Sequence, residues 1–300
     1  MDKNAFDIIK RTNIFKNDIN NIKKLSKISS NKLKFDFNGI TYVVGLYPIE
    51  DFDNLKKENE INNYLRSIDV NPLDLYEIGI MPDLDKSYKV FEFRNEISLK
   101  EYISKYSSKE VYNIGLKFGE ILKKIHMKKI DSNLDYDWHK KIETKINLLL
   151  YRQGLNKNNG VNDYILIDYL QNNSYICKNT SSNILYEGLN DKNIRIYDND
   201  KIDIRGLKDL KVGDGISDFV NINKISITSP DFAKGVLESY HEGEQVSRKF
   251  FRLLSLYQAY YLLESLVNIR ENKESYLNEE EIEKIILMYD NFSTIIPSWV

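Results

Sequence analysis

The periodicity of the chain changes at about residue 95, and that change limits the folds open to it. Before it, apolar residues alternate in short runs bounded by turn residues. "LKFDF" and "ITYVVGL" flank Asn38-Gly39, the strongest short hairpin signal, because a tight two-residue turn needs positive φ at both central positions. Pro48 ends the second strand, and "YKVFEF" at 88–93 is another strand. "DFDNLKKENEINNYLRSI" is a helix with Phe52, Leu55 and Ile61 on one side. Residues 4–26 carry Phe6, Ile9, Ile14 and Phe15 at the spacing of an amphipathic helix. Residues 1–95 therefore predict a small lobe of two or three strands plus helix.

After residue 95 the period becomes helical. "LKEYISKY", "SKEVYNIGLKFGEILKKIHMK", "DWHKKIETKINLLLYRQGL" and "VNDYILIDYLQNN" follow one another, with Ser108 and Glu110 marking the start of the second. The short strands "SNILYE", "NIRIYD" and "KIDIRG" come next, then the helices "PDFAKGVLESYHEG", "SRKFFRLLSLYQAYYLLESLVNIRENK" and "NEEEIEKIILMYDNFSTI". The class is α+β: a small mixed lobe at 1–95 and a larger, mainly helical lobe at 96–300 that carries a short β insertion. This is the outline of the protein kinase-like two-lobe fold.

The net charge of −2 gives no reason to expect nucleic acid or an acidic membrane as partner. The single cysteine, Cys177, excludes an intrachain disulfide and a multi-cysteine metal site, and is read as a buried small hydrophobe. The N-terminus lacks the apolar core of a signal peptide, and no run approaches the length of a membrane span. A cytoplasmic protein without membrane insertion is expected.

The motifs resemble those of bacterial aminoglycoside phosphotransferases and the related choline kinases. "YNIGLKFGEILKKIHM" is similar to the family's Gly-x-x-x-Gly-x-x-Leu-x-x-x-His helix, and "SPDFAKGVLESYHEGEQVSRKFFRLLSLYQAYYLLESL" and "YDNFSTIIPSWV" resemble one Firmicute-type branch. The resemblance implies three active-site parts. A His-Gly-Asp-x-x-x-x-Asn loop supplies a catalytic Asp and a magnesium-binding Asn. A strand-end Asp binds magnesium. A basic residue on a small-lobe strand, positioned by a helix Glu, meets the phosphates of ATP.

Carried over residue by residue, the resemblance finds these parts largely missing. "YEGLNDKN" aligns with the catalytic loop, with Tyr186 at the His position, Glu187 at the Gly and Gly188 at the catalytic Asp; Asn193 is retained. The spacing forward from Asn193 and the spacing back from Gly213-Asp214 both place Gly206 at the metal Asp. Gly45 stands at the basic-residue position, so Glu58, which fits the helix Glu, lacks its expected partner. The nucleotide-covering turn "SKISSNKLKF" has no glycine. Asp214 and Asp218 fit the helix start after the metal loop, where the second acid anchors loop backbone, and His126 fits a histidine that packs near that loop.

Two functions follow. The first is a pseudokinase that needs no cofactor, expects no catalytic or metal residue, and binds an unknown protein or small cationic molecule. Its nucleotide residues Glu58 and Asn193 are vestigial. The second is an active phosphotransferase that uses ATP and magnesium on an aminoglycoside, choline or similar hydroxyl-bearing cation, with the displaced acids Asp191 and Asp203, and Asp209 nearby. Against it, Asp191 reads as a turn residue, Asp203 as a solvated strand residue and Asp209 as a loop residue. Arg205 and Lys192 place positive charge beside Gly206 and Asn193, and Glu238, Glu242 and Glu244 are acids for a cationic ligand or an exposed turn. His139 and His241 read as isolated residues without metal-ligand spacing, and Trp138 and Trp299 as packing anchors.

Overall fold

The computed structural model describes residues 3–16, 19–70, 72–127, 138–155, 159–178, 180, 182–186, 188–206 and 211–300. Along the chain, α1 (Lys3–Lys10) precedes β1 (Ile22–Ser29), β2 (Lys32–Phe37) and β3 (Ile40–Pro48). Then come α2 (Phe52–Ser67), β4 (Leu75–Met81), β5 (Lys86–Glu92) and β6 (Ile97–Ser98). The helices α3 (Leu99–Lys105), α4 (Ser108–Met127), α5 (Trp138–Gly154) and α6 (Val161–Asn173) lead to β7 (Asn183–Leu185), β8 (Ile194–Tyr197), β9 (Lys201–Ile204) and β10 (Lys211–Gly213). The chain closes with α7 (Phe219–Ser226), α8 (Pro230–Tyr240), α9 (Arg248–Arg270) and α10 (Glu279–Met288). It divides into two compact units, Met1–Ser98 with Asn193–Asp209, and Leu99–Lys192 with Leu210–Val300.

The first unit is built on an antiparallel sheet of order β1-β2-β3-β5-β4. The β2–β3 hairpin turns at Asn38 and Gly39, both at positive φ, as the sequence predicts. One sheet face buries Leu33, Phe35, Tyr42, Val44, Tyr88 and Val90 against Ala5, Ile9 and Phe15. Phe15 meets Phe35, Phe37 and Tyr42 edge-on at centroid distances of 5.0–5.1 Å. The helix expected over 4–26 is confined to α1, and the end of that segment, from Ile22, begins strand β1. The reason lies in pairing: Ile22 and Lys23 oppose Phe37 and Asp36, so the backbone of this segment is satisfied by β2. β6, β8 and β9 make a second, three-stranded antiparallel sheet, which joins the β8–β9 hairpin to the end of the N-terminal segment.

The second unit is helical. α4 packs on α8, α6 on α9, and β7 pairs with β10. Ser107 caps α4, one residue before the predicted start: its backbone N–H and hydroxyl both reach the Glu110 carboxylate, at 2.9 and 2.7 Å. α9 is buried on most of its circumference, as a central core helix must be. The C-terminal segment is locked by the buried Asn223, which donates to Gln258 and to the Tyr289 hydroxyl and accepts from Trp299 Nε1 at 2.9 Å. Trp138 is likewise buried and donates to the Tyr257 hydroxyl at 3.0 Å. No helix among the described residues is long and apolar enough to cross a membrane.

Candidate functional site

Gly45 lies in the middle strand of the first unit, and the Tyr47 side chain covers it. The Tyr47 ring folds back across it, so a Cβ at residue 45 would stand 2.9 Å from the Tyr47 hydroxyl. Burial, reinforced by the Glu58 charge and opposed by Arg205, pushes the Tyr47 phenol up to about 12, so it is neutral and a donor at pH 7. The register then places Lys89 of β5 directly opposite Gly45. Lys89 Nζ lies 2.6 and 2.7 Å from the two carboxylate oxygens of Glu58 on α2. Glu58 thus has the basic partner that the sequence alignment denied it. The charge comes from the adjacent strand, because directly opposed residues of an antiparallel pair share a face.

Asn193 and Gly206 meet within the same unit. The Arg205 N–H donates to the Asn193 carbonyl at 2.9 Å, closing the end of the β8–β9 hairpin. Gly206 has φ +79°, and the Asn193 carboxamide occupies the space into which a Cβ at residue 206 would project. A carboxylate at residue 206 meets two obstacles: the left-handed backbone and an occupied volume. Arg205 is not a free cation either. Its guanidinium bonds Glu96 at 2.6 Å and Asp203 at 3.2 Å. Glu96 and Asp203 are both raised above the usual carboxylate range, chiefly by burial and against the pull of Arg205.

Asp203 corrects the solvated-strand reading: it is fully buried, as are Ile202 and Ile204 beside it. β9 is covered on both faces, so alternation along the sequence does not report exposure there. Its ladder with β8 is regular, with Asp203 opposite Arg195, so the register shift that a metal-binding role requires is absent. Asp203 Oδ2 is spent on Arg205. Oδ1 has no hydrogen-bond partner among the described residues, and the Leu73 backbone favours the ionised form of the carboxylate.

Of the positions that the resemblance assigns to the catalytic loop, Tyr186 and 188–192 belong to the second unit and Asn193 to the first. The Leu189 N–H returns to the Tyr186 carbonyl at 3.0 Å, and Gly188 lies in a turn. Asn190 Nδ2 donates to the Gly188 carbonyl at 3.2 Å, and its Oδ1 accepts the Lys192 N–H at 2.9 Å. Asp191 is half-buried, and its carbonyl accepts the Lys100 N–H at 3.1 Å, a turn residue as read. Asp191 and Asp203 fall in different units; Glu187 and Asp209 lie outside the described residues.

The scaffold around this turn follows the sequence reading. Asp218 is buried and accepts the Tyr186 N–H at 2.6 Å and His126 Nε2 at 3.0 Å. His126 Nδ1 shares a hydrogen bond with the Tyr240 hydroxyl at 2.9 Å. Asp214 accepts from the Ile216 N–H and the Tyr257 hydroxyl, capping a short 3-10 helix that runs into α7. Cys177 is buried, and burial pushes its thiol up to about 11, which leaves no thiolate at neutral pH.

The remaining candidates are held elsewhere. Glu238 accepts from the Tyr112 hydroxyl, Glu242 pairs with Lys123 at 2.6 Å, and Glu244 is exposed. They do not line the cavity of about 180 Å³ in this unit, whose walls include Trp138, Lys141, Lys145, Tyr261 and Tyr276. His139 lies 3.9 Å from Glu143, and the His241 ring packs edge-on against Phe250.

Magnesium wants several hard oxygen ligands, carboxylate or phosphate, in octahedral geometry. Gly188 and Gly206 offer no side-chain oxygen, and no group of three metal-ligating side chains occurs among the described residues. The positions that the resemblance assigns to the metal do not fit it. The Lys89–Glu58 pair, by contrast, is the kind of pair that holds phosphates in kinases.

No family model matches the sequence, and no curated protein matches it. Solved structures do match the fold. The GDP complex of aminoglycoside 2′-phosphotransferase-IIIa is 14% identical, covers 98% of this chain and 97% of its own, and superposes with a TM-score of 0.58. ADP-bound aminoglycoside phosphotransferase APH(2″)-Ib is 16% identical over 94% of this chain and 96% of its own, at 0.55. A putative fructosamine-3-kinase from Haemophilus somnus is 21% identical over 87% and 90%, at 0.52. The sheet-based first unit and the helical second unit are therefore the two lobes of a protein kinase-like fold, the fold of the aminoglycoside phosphotransferases.

Proposed function

We propose that this protein works by binding rather than by phosphoryl transfer along the usual carboxylate-and-magnesium route. The observation that carries the reading is Gly206: its positive φ and the Asn193 side chain packed against it leave no place for the metal-binding aspartate. Gly188 removes the proton acceptor as well. A general base contributes about 10²–10⁴ in rate, and a metal stabilises several kcal/mol of developing charge, so both losses together abolish useful turnover. Displaced acids do not rescue the site. Asp203 is bound to Arg205, and Asp191 serves a turn.

The bound species is a small molecule or a protein recognised by a kinase-like scaffold whose support network, Asp218, His126 and Asp214, is intact. The test is ATP turnover with magnesium, using aminoglycosides and choline as acceptors. No transfer is expected for any acceptor. Magnesium-dependent transfer that disappears in an Asp203→Asn variant would favour the active-enzyme reading instead.

A further inference from the structure

A cavity of about 470 Å³ opens in the first unit, where the end of α2, the segment before β4, the end of β5 and the β8–β9 hairpin converge. None of Gly45, Glu58, Lys89, Asn193 and Gly206 lines it, so it is distinct from the positions that the resemblance assigns to phosphate and metal. Its walls carry three cations, Arg66, Arg94 and Lys201, and three acids, Asp74, Glu92 and Asp198. The pairing among them is uneven. Asp74 accepts from Arg94 Nη2 at 2.9 Å and from Arg66 Nη2 at 3.4 Å, so one carboxylate serves two guanidiniums. Glu92, Asp198 and Lys201 form no ion pair among the described residues. Arg94 is 9% exposed, its guanidinium lies 4.5 Å from the Tyr197 ring centroid, and its Nη1 has no hydrogen-bond partner among the described residues. A buried donor left without an acceptor is costly, so the cationic wall has a capacity to bind that its one shared carboxylate does not fill.

We propose that this cavity binds a free α-amino acid, its carboxylate held by Arg94 and Arg66 and its ammonium by Glu92 and Asp198. Walls that carry both signs equally give neither a plain anion nor a plain cation the advantage, whereas a zwitterion uses both at once. At the shared Asp74 a second carboxylate makes up the missing negative charge, and guanidinium–carboxylate bonds are short and charge-assisted. The acids without an ion pair supply the partner for the ammonium. The volume falls within the roughly 300–1,000 Å³ of small-molecule sites, and the rings of Phe93 and Tyr197 add aromatic wall for the ligand's side chain. The inference goes beyond the binding reading: it adds a ligand class at residues that reading does not use.

The experiment screens the intact chain by thermal shift against the twenty L-amino acids at millimolar concentration. The strongest stabiliser is then titrated by calorimetry beside its two half-ligands, the deaminated acid and the decarboxylated amine. At least one amino acid is expected to raise the melting temperature, and each half-ligand to bind at least about tenfold more weakly, the loss of one charge-assisted contact. Arg66→Met, which leaves Asp74 to Arg94 alone, should weaken the amino acid about tenfold, and Glu92→Gln severalfold. Circular dichroism checks that each variant folds. Arg66 and Glu92 test opposite ends of the ligand, so either variant keeps the test decisive if the other does not fold. The proposal is overturned if no amino acid stabilises the chain, if either half-ligand binds as tightly as the amino acid, or if the folded variants bind like the wild type. These outcomes leave the absence of phosphoryl transfer untouched, and turnover of ATP would overturn that reading without reference to this cavity.

Discussion

Lys89 stands opposite Gly45 in the β3–β5 ladder and donates to both carboxylate oxygens of Glu58. The charge missing from one strand is present on the next, at the same height and on the same face. The ion pair joins α2 to β5, one strand over from Gly45, the position where the resemblance expects the basic residue.

The two halves of this pair should respond unequally to removal. Lys89 is 14% exposed and Glu58 39%. Glu58→Ala strands a mostly buried ammonium and should lower the unfolding free energy by about 1–3 kcal/mol. Lys89→Met removes the buried charge and leaves a carboxylate that water can reach, at a cost below about 1 kcal/mol. Urea denaturation of both variants checks the order, and equal losses would contradict the burial argument.

Restoring the metal aspartate alone should fail. Gly206→Asp must adopt φ near +79° and displace Asn193. The expected result is a stability loss of about 1–3 kcal/mol and no magnesium-dependent rise in melting temperature. A melting temperature that rises with magnesium would show that the loop can relax to build the site.

Asp218 should be the least replaceable residue near the catalytic-loop turn. It is buried and holds both His126 and the Tyr186 amide. Asp218→Ala leaves two buried groups unpaired and should cost about 2–5 kcal/mol. Asp218→Asn keeps one acceptor oxygen and should cost less. Thermal melts of the two variants test this; a mild alanine variant would mean that water replaces the carboxylate.

Acid should destabilise the fold through His241. Burial first, and then Lys123, lowers its pKa below the ordinary 6.5, and its Nε2 has no partner among the described residues. Well above 6.5 the ring is neutral both folded and unfolded. As pH falls through 6.5 the unfolded chain takes the proton first, so stability declines until pH passes the lower folded value. Between about pH 8 and about pH 5.5, above the carboxylate range, His241→Phe should flatten this decline. An unchanged slope in the variant would assign the effect to other groups.

Much of the frame was legible in the sequence. The Asn38-Gly39 hairpin, α2, and the helices from α3 to α6 follow from turn chemistry and apolar period. The elements missed or misread in the first sheet are β1 and β4, its two edges, where one side faces no partner strand and alternation is weak. The His126–Asp218 support was also legible, because those residues keep their types.

Lys89 was not legible, although a sign of it exists. It is a lysine within the otherwise apolar run "YKVF", in a chain whose helix glutamate lacked a partner. Seeing it required the register between β3 and β5, which are separated in sequence by α2 and β4. Asp203 was misjudged for a related reason: exposure depends on what covers a strand, and the strand's own pattern does not carry that information.

The sequence by itself determined which groups are missing, since glycine at 188 and 206 holds no oxygen whatever the fold. Only the tertiary structure decided what stands in their place. Tyr47 across Gly45, Lys89 on Glu58, Asn193 against Gly206 and Arg205 between Glu96 and Asp203 are all set by packing and strand register. Side-chain neighbours in space are fixed by how distant segments pair and pack, and a linear spacing cannot encode that.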